Sequence, residues 1–197
     1  MMSEPDAFAA LRREHAFVED LLGRLVELGE RIRDGERVSP GTVRLGVGLL
    51  DAYLHRVHAH QFDRDLWPEA KAVAGRECNA PLETVRANHA QLRRSSQEIL
   101  GLISQWMAGD PEAQNRVARR LIELAAADEA ENVFEEQHPF TCLETNLAPA
   151  AQHRVGTLLT GHARTKVALE SKITRYLHLS RPDGGDERAG TCVPTTA

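Results

Sequence analysis

Apolar residues recur along most of this chain at steps of three and four, which is the period of an amphipathic α-helix. Ser39-Pro40 is typical of a helix start, and it predicts a second helix that reaches about Trp67. The first helix is predicted over residues 6–33, where the apolar side carries Phe8, Leu11, His15, Val18, Leu22 and Val26. The later helices are predicted from Pro81 to the break at Gly109-Asp110-Pro111, over 112–137 and over 149–177.

The same pattern predicts the fold class. No segment alternates apolar and polar residues as a strand would, so no sheet is expected. Four long helices with short connections, the second and fourth ended by Pro68 and Pro139, predict an all-α, up-down-up-down four-helix bundle. A fifth, C-terminal helix either caps this bundle or forms a homodimer. The bundle is predicted over residues 1–178, and the polar segment 179–197 is predicted to be a disordered tail.

Composition narrows the function classes. The chain has 197 residues and a net charge of −5, which argues against a nucleic-acid partner. No apolar run approaches the roughly 18–20 residues that a membrane span needs. The acidic N-terminus does not resemble a secretion signal. Three scattered cysteines, Cys78, Cys142 and Cys192, predict reduced thiols and a cytoplasmic protein.

Polar residues inside the apolar stripes are the candidate chemistry. His15 lies in the stripe of the first helix and His89 in that of the third. The second helix carries Asp51, His58 and Asp65 seven residues apart, and the fourth carries Glu129 and Glu136, also seven apart. A seven-residue step returns to nearly the same helix face, so these groups are predicted to point inward. Imidazoles and carboxylates converging inside a helical bundle favour iron or manganese, although a lone core histidine is more often structural.

A second acidic pattern lies on the fourth helix. Glu131 and Glu135 are four residues apart, and with His138 they form a Glu-x-x-His pattern of the kind that ferritin-like proteins use for two iron ions. This face points away from Ile122 and Val133, however, and it is therefore predicted to lie on the surface.

The order of these residues resembles the hemerythrin or HHE cation-binding family over roughly residues 7–165. The resemblance is carried by His15, by His58 followed by Leu66-Trp67-Pro68, by Asn88-His89, and by an acidic helix ending at Pro139. The family has a histidine on helix one, His-x-x-x-Glu on helix two, and the same again on helices three and four. The resemblance implies a non-haem di-iron centre for oxygen carriage, for iron or oxygen sensing, or for nitric-oxide chemistry.

The chain departs from the family pattern at three positions. Phe62 and Val133 occupy places where the family has carboxylates, and Glu129 occupies the place of a histidine. The metal ligands implied for one or two iron ions are His15, His58, His89, Glu129, Asp65 and Glu136. We therefore expect a hemerythrin-like iron protein that binds dioxygen, peroxide or nitric oxide, rather than a dedicated enzyme. The alternatives are a metal-free helical interaction module and a ferritin-like di-metal oxidase or peroxidase.

Overall fold

A computed structural model describes residues 7–73, 75–161 and 163–180, without the side chains at 7, 65, 69, 73, 75–76, 158–161 and 163. The all-helical class is confirmed, since these ranges hold helices and no strand. The predicted tail lies outside them from residue 181 onward. No helix in the described ranges combines the length and the apolar character that a membrane crossing requires.

Helical backbone runs through most of each described range. The helices in chain order are α1 (Ala7–Arg33), α2 (Pro40–Tyr53), α3 (Ala59–Gln61), α4 (Trp67–Val73), α5 (Gly75–Met107), α6 (Pro111–Glu135), α7 (Thr141–Asn146), α8 (Pro149–Gly161) and α9 (Ala163–Leu179). The π-helical segments are π1 (Leu54–His58), π2 (Phe62–Leu66) and π3 (Glu136–Phe140). Because π1 and π2 join α2, α3 and α4 without a break, residues 40–73 form one irregular rod. Residues 111–146 form another through π3.

Local sequence explains where the long helices begin and end. Ser39 caps α2 through its side chain, which accepts a hydrogen bond from the Thr42 amide. Asp110 caps α6 in the same way, with its Oδ1 accepting from the amide of Glu112 at 2.9 Å. Gly35 follows α1 and Gly109 follows α5, with φ of 80° and 97°. Glycine favours this left-handed conformation, and it therefore ends both helices.

The prediction that Pro68 and Pro139 end their helices is wrong. Pro68 lies inside α4, and Pro139 lies inside π3. Proline has no backbone N–H to donate, and its ring clashes with the preceding turn of an α-helix. A π-helical turn is wider than an α-helical turn and leaves more room for the ring. After Pro139, the hydroxyl of Thr141 donates to the carbonyl of Glu136 at 3.0 Å and satisfies an acceptor at this turn. The helical path therefore continues past both prolines.

Two other predicted boundaries differ from the structure. The third helix begins at Gly75 and carries Pro81 within it, and the fifth is found as α8 and α9 on either side of residue 162. Helix α9 packs against α2 and α1 of its own chain. It buries Leu169, Ile173 and Tyr176 in the same apolar cluster as those helices, so its apolar face is covered within one chain.

The long helices are held together around a divided core. Helix α1 packs on α2 and α6, and α5 packs on the same two helices. One apolar cluster includes Leu21, Leu50, Ile103 and Leu121, and the other includes Phe8, Phe62, Leu82 and Phe140. Along each of the four helical rods, buried polar residues separate the members of one cluster from the members of the other. We call them the polar layer: Glu14, His15, His58, His89, Asp128, Glu131, Asn132 and Glu135.

The expectation of reduced thiols is wrong for two of the three cysteines. Cys78 of α5 and Cys142 of α7 form a disulfide between positions 64 residues apart. Both lie at the second apolar cluster, where α5 and α7 pack together. Their spacing along the chain carries no signal for this pairing, because the proximity arises only in the tertiary structure. Cys192 lies outside the described residues.

Candidate metal centre

Four buried side chains of the polar layer form the candidate metal centre. His58 comes from π1, His89 from α5, and Glu131 and Glu135 from α6, one turn apart. One nitrogen or oxygen atom from each lies within 4.8 Å of the other three. A metal ion lies about 2 Å from each nitrogen or oxygen ligand, so small side-chain shifts would bring all four atoms onto one ion.

The carboxylate of Glu135 is the hub of the polar layer. Its Oε2 lies 3.0 Å from Nε2 of His15 and 3.6 Å from Nε2 of His58. Its Oε1 lies 3.1 Å from Nε2 of His89. Glu135 is fully buried, and histidines from three different helical rods therefore surround a single carboxylate.

The histidines differ in how the protein satisfies them. Both ring nitrogens of His15 have carboxylate partners, Glu135 at 3.0 Å and Glu136 at 3.1 Å. Both ring nitrogens of His58 and of His89 lack a hydrogen-bond partner in the described part of the chain. The 3.1 Å approach of His89 to Glu135 is therefore close but not directed along an N–H bond.

Unsatisfied oxygen atoms lie at the same place. Glu131 Oε1 and Glu135 Oε1 are buried without a hydrogen bond among the described residues. Buried polar atoms in folded proteins nearly always have a partner, so a cluster of such atoms needs an explanation. A bound cation would satisfy them, because imidazole nitrogens and carboxylate oxygens are its ordinary ligands.

Electrostatics pairs His58 with Glu135. Burial disfavours the charged form of each group, but the attraction between their opposite charges outweighs it. The pKa of His58 is consequently held well above its usual range, and the pKa of Glu135 well below its own. In the absence of an ion, this pair is charged at neutral pH.

Two neighbours of this pair, Glu131 and His89, are neutral at pH 7. Burial raises the pKa of Glu131 to about 10, with the charge of Glu135 adding to the effect. Burial also lowers the pKa of His89, which the nearby carboxylate of Glu135 opposes only in part. The pKa of Asp128 rises to about 6 through burial, and its Oδ2 accepts a hydrogen bond from Asn132 at 3.2 Å.

A second buried carboxylate lies behind His58. Glu14 Oε2 is 3.7 Å from Nδ1 of His58, and Glu14 Oε1 accepts a bond from Nζ of Lys166 at 2.6 Å. Burial raises the pKa of Glu14, but the nearby imidazole of His58 and the hydrogen bond from Lys166 outweigh it and leave the pKa lowered. A carboxylate behind a ligating imidazole fixes the ring orientation, and here α9 supplies the lysine that holds the carboxylate.

The structure brings together some of the residues predicted from the sequence. His15, His58 and His89 are buried in the polar layer, as their stripes predict. The side chain of Glu136 is 40% exposed and contacts the outer nitrogen of His15, not the four-residue cluster. The side chain of Asp65 lies outside the described residues.

The predicted orientation of α6 is wrong. Glu129, predicted to point inward, is exposed, whereas Glu131 and Glu135, predicted to lie on the surface, are buried. Val133, which the apolar pattern places on the inward face, is 49% exposed. The buried face follows a different series at steps of three and four: Val117, Leu121, Leu124, Asp128, Glu131 and Glu135. Extending the first three of these along the helix is the sequence signal that locates both carboxylates.

Aromatic side chains close the layer toward the second apolar cluster. Phe62 is fully buried, and its ring lies 5.3 Å from the ring of His89. Phe140 stacks on His15 with ring centres 5.8 Å apart. These rings exclude water from one side of the cluster, and Phe62 supplies a wall where the hemerythrin pattern would have a ligand.

Comparison with known proteins adds no relative to this picture. No family model, no curated protein and no solved structure matches the chain. The likeness to hemerythrins therefore rests on the residue pattern, and the candidate centre rests on its own geometry.

Proposed function

We propose that this protein is a hemerythrin-like, non-haem iron protein whose ion is held by His58, His89, Glu131 and Glu135. The observation that carries the proposal is the convergence of unpaired imidazole nitrogens and carboxylate oxygens in a buried layer. The set differs from the one implied by the sequence in two ways. Glu131 and Glu135 replace Glu129, Asp65 and Glu136, and His15 is no longer a ligand.

The donor chemistry supports iron. Two imidazoles and two carboxylates suit iron, manganese or zinc, and the described cysteines form a disulfide rather than a thiolate site. A bound iron ion with an open position supplies the site for dioxygen, peroxide or nitric oxide. The protein residues orient the ligands: His15 holds the inner carboxylate of Glu135, and Glu14 lies behind His58.

The same proposal includes the up-down-up-down bundle. Its support is the closed set of contacts from α1 to α2, α2 to α5, α5 to α6 and α6 back to α1. Each of these rods contributes at least one residue to the polar layer. A bundle of this kind encloses a metal centre between facing helices.

Metal analysis of protein expressed in iron-supplemented medium, with a visible spectrum in air, tests the proposal. We expect at least one iron per chain in the wild type, and loss of the iron in His89→Ala and in Glu135→Gln. Glu129→Gln is the matched control, because Glu129 lies on the same helix but is exposed. Sub-stoichiometric metal in the wild type, or the same loss in the control, would contradict the proposal.

A metal-free interaction module is the second candidate, and the charge balance favours it. Without an ion, His58 offsets Glu135, Lys166 offsets Glu14, and Glu131 is protonated. Most charges in the layer are therefore offset without an ion, and Asp128, with a pKa of about 6, is the exception at pH 7. Full folding stability with no metal uptake, including growth with excess iron, would support this candidate.

The Glu-x-x-His pattern, which was the specific argument for a ferritin-like protein, is not supported. Glu135 is buried, whereas His138, three residues on, is exposed and packs against Phe134. The Glu-x-x-His pattern therefore does not place both groups at one centre. Rapid peroxide turnover by the iron-loaded protein would still favour an oxidase or peroxidase over a carrier or sensor.

Location and assembly stay predictions. The Cys78–Cys142 disulfide bears against the cytoplasmic location predicted from the sequence, since such bonds are rare in reducing compartments. The homodimer has lost its main argument, because the apolar face of α9 is buried within the chain.

A further inference from the structure

A cavity of about 380 Å³ opens between π1 and α5, directly beside the candidate metal centre. His89 lines this cavity and also belongs to the four-residue cluster. At about 30 Å³ per water molecule, the cavity has room for a molecule of about a dozen non-hydrogen atoms. Cavities of this size commonly bind small molecules.

Two acidic side chains in the cavity wall are already engaged by the protein. Asp51 accepts a hydrogen bond from the hydroxyl of Ser96 at 2.6 Å. Asp63 accepts from Nε of Arg86 at 3.1 Å, and the guanidinium of Arg86 also lies over the ring of Trp67 at 4.9 Å. These contacts fix Arg86 and Asp63 as a neutral pair.

Two cations in the wall are left without an acidic partner. The guanidinium of Arg93 makes no ion pair or hydrogen bond within the described ranges, although Arg93 lines the cavity. Next to it, Arg94 bonds only the neutral side chain of Gln91. Asp51 is bonded only to a neutral hydroxyl as well, but Arg93 and Arg94 outnumber it, so the unmatched charge of the cavity is positive. An arginine fork matches the geometry of a carboxylate.

Apolar side chains also line the cavity, together with the polar side chains of His55 and Gln97. Leu54 lies on the π1 side, and Leu92 lies on the α5 side. We propose that this cavity binds a small organic carboxylate with an apolar body, its carboxylate on Arg93 and its body between Leu54 and Leu92. An inorganic anion would leave these apolar walls unused, and a neutral apolar molecule would leave the charge of Arg93 unused.

Occupancy of the cavity places the carboxylate compound one imidazole ring away from the metal centre. Its role as a co-ligand or substrate of that centre rests on the proposed function. The binding itself rests only on the cavity, and it can be measured without an ion.

The test titrates metal-free protein with benzoate and follows backbone amide shifts by NMR. Benzyl alcohol keeps the ring without the charge, and inorganic phosphate keeps a charge without the ring. Arg93→Gln removes the proposed anchor. Arg119→Gln is the matched control, since Arg119 is an exposed arginine of α6 remote from the cavity lining.

We expect benzoate to bind at least about tenfold more tightly than either comparison compound, with shifts centred on the cavity. Arg93→Gln should weaken benzoate binding by about tenfold, and Arg119→Gln should leave it within about twofold of wild type. Three results would each overturn the proposal: no saturable benzoate shifts, equal binding of phosphate or benzyl alcohol, or equal weakening in the control variant. Iron uptake is measured separately, so failure of the metal centre and failure of this cavity are distinguishable.

Discussion

The two halves of the chain, residues 7–73 and 75–146, follow one plan but supply different groups to the polar layer. Each half is a long helix followed by a rod that contains π-helical turns. The first half brings two imidazoles and Glu14. The second half brings one imidazole and three carboxylates to the polar layer: Asp128, Glu131 and Glu135.

The sharpest difference between the halves appears when the rods 40–73 and 111–146 are compared. On each rod it lies four residues after the first proposed metal ligand. In the first half, His58 is followed at this spacing by Phe62, a fully buried wall. In the second half, Glu131 is followed by Glu135, the hub of the layer. The first rod therefore supplies an apolar wall to the centre, and the second rod supplies its carboxylates. The titratable acids of the centre are concentrated on α6.

The largest expected effect is the pH dependence of metal affinity, to which both halves contribute. His58 from the first and Glu131 from the second both carry a proton at neutral pH, because both pKa values are raised. An ion must displace both protons, so affinity should rise by about 100-fold per pH unit below the raised pKa of His58. Competition with a chelator at several pH values measures this slope.

The matched variant for this slope is Glu131→Gln, which has no proton to release at that position. The slope should fall to about tenfold per pH unit while some binding remains. An unchanged slope would show that α6 releases no proton when the ion binds. The contrast in acid–base behaviour between the two halves would then be smaller than proposed.

Phe62→Glu would give the first half the carboxylate that it lacks. We expect the variant to lose about 5 kcal/mol of unfolding free energy, because it removes a buried ring and buries an acid in its place. Urea unfolding of the metal-free protein measures the loss, with the apolar variant Phe62→Leu as control. A Phe62→Glu protein as stable as wild type would show that the halves are interchangeable.

The disulfide strengthens only the second half, since Cys78 and Cys142 both belong to it. For a separation of 64 residues, loss of the bond through Cys142→Ser should lower the unfolding free energy by about 4 kcal/mol. Chemical reduction of the wild type should have the same effect. Adding a reducing agent to Cys142→Ser should leave its unfolding free energy unchanged. A further loss would mean that another disulfide contributes to stability.

Asp128→Asn should stabilise the metal-free protein. The pKa of Asp128 rises from 3.8 to about 6 on folding, so its ionisation opposes the folded state increasingly between these pH values and fully above them. At 1.36 kcal/mol per pKa unit, removing the charge should add about 3 kcal/mol above pH 6 and nothing below pH 4.

Urea unfolding at pH 4 and pH 7 distinguishes this effect from a general change in packing. Glu129→Gln on the exposed side of α6 should change stability by less than about 0.5 kcal/mol at either pH. Equal gains for Asp128→Asn at both pH values would mean that burial of the charge is not the cause.

Sequence reasoning was most successful where apolar residues are large and regularly spaced. The stripe through Leu11 and Val18 on α1, and through Val85 and Leu92 on α5, locates both long helices and the inward position of their histidines. Helix α6 is rich in alanine, so Val133 misdirected the choice of face. On this helix the regular step that starts from Leu121 and Leu124, rather than the nearest large apolar residue, locates the buried carboxylates.

Other features had no local signal. The pairing of Lys166 with Glu14 joins residues 152 positions apart, and the Cys78–Cys142 bond joins the two halves of a hairpin. Glu14 itself could have been found, because it lies three residues after Leu11 and four before Val18. The path through Pro68 depends on π-helical turns, which apolar periodicity does not reveal.

The polar layer also has a consequence for how the molecule melts. It separates two apolar clusters whose members lie on the same long helices. Without an ion, each cluster is expected to open as its own cooperative unit, and amide hydrogen exchange would then show two protection levels along α1 and α5. An ion bound to ligands from three rods would fuse the two units, so that the bundle unfolds as one.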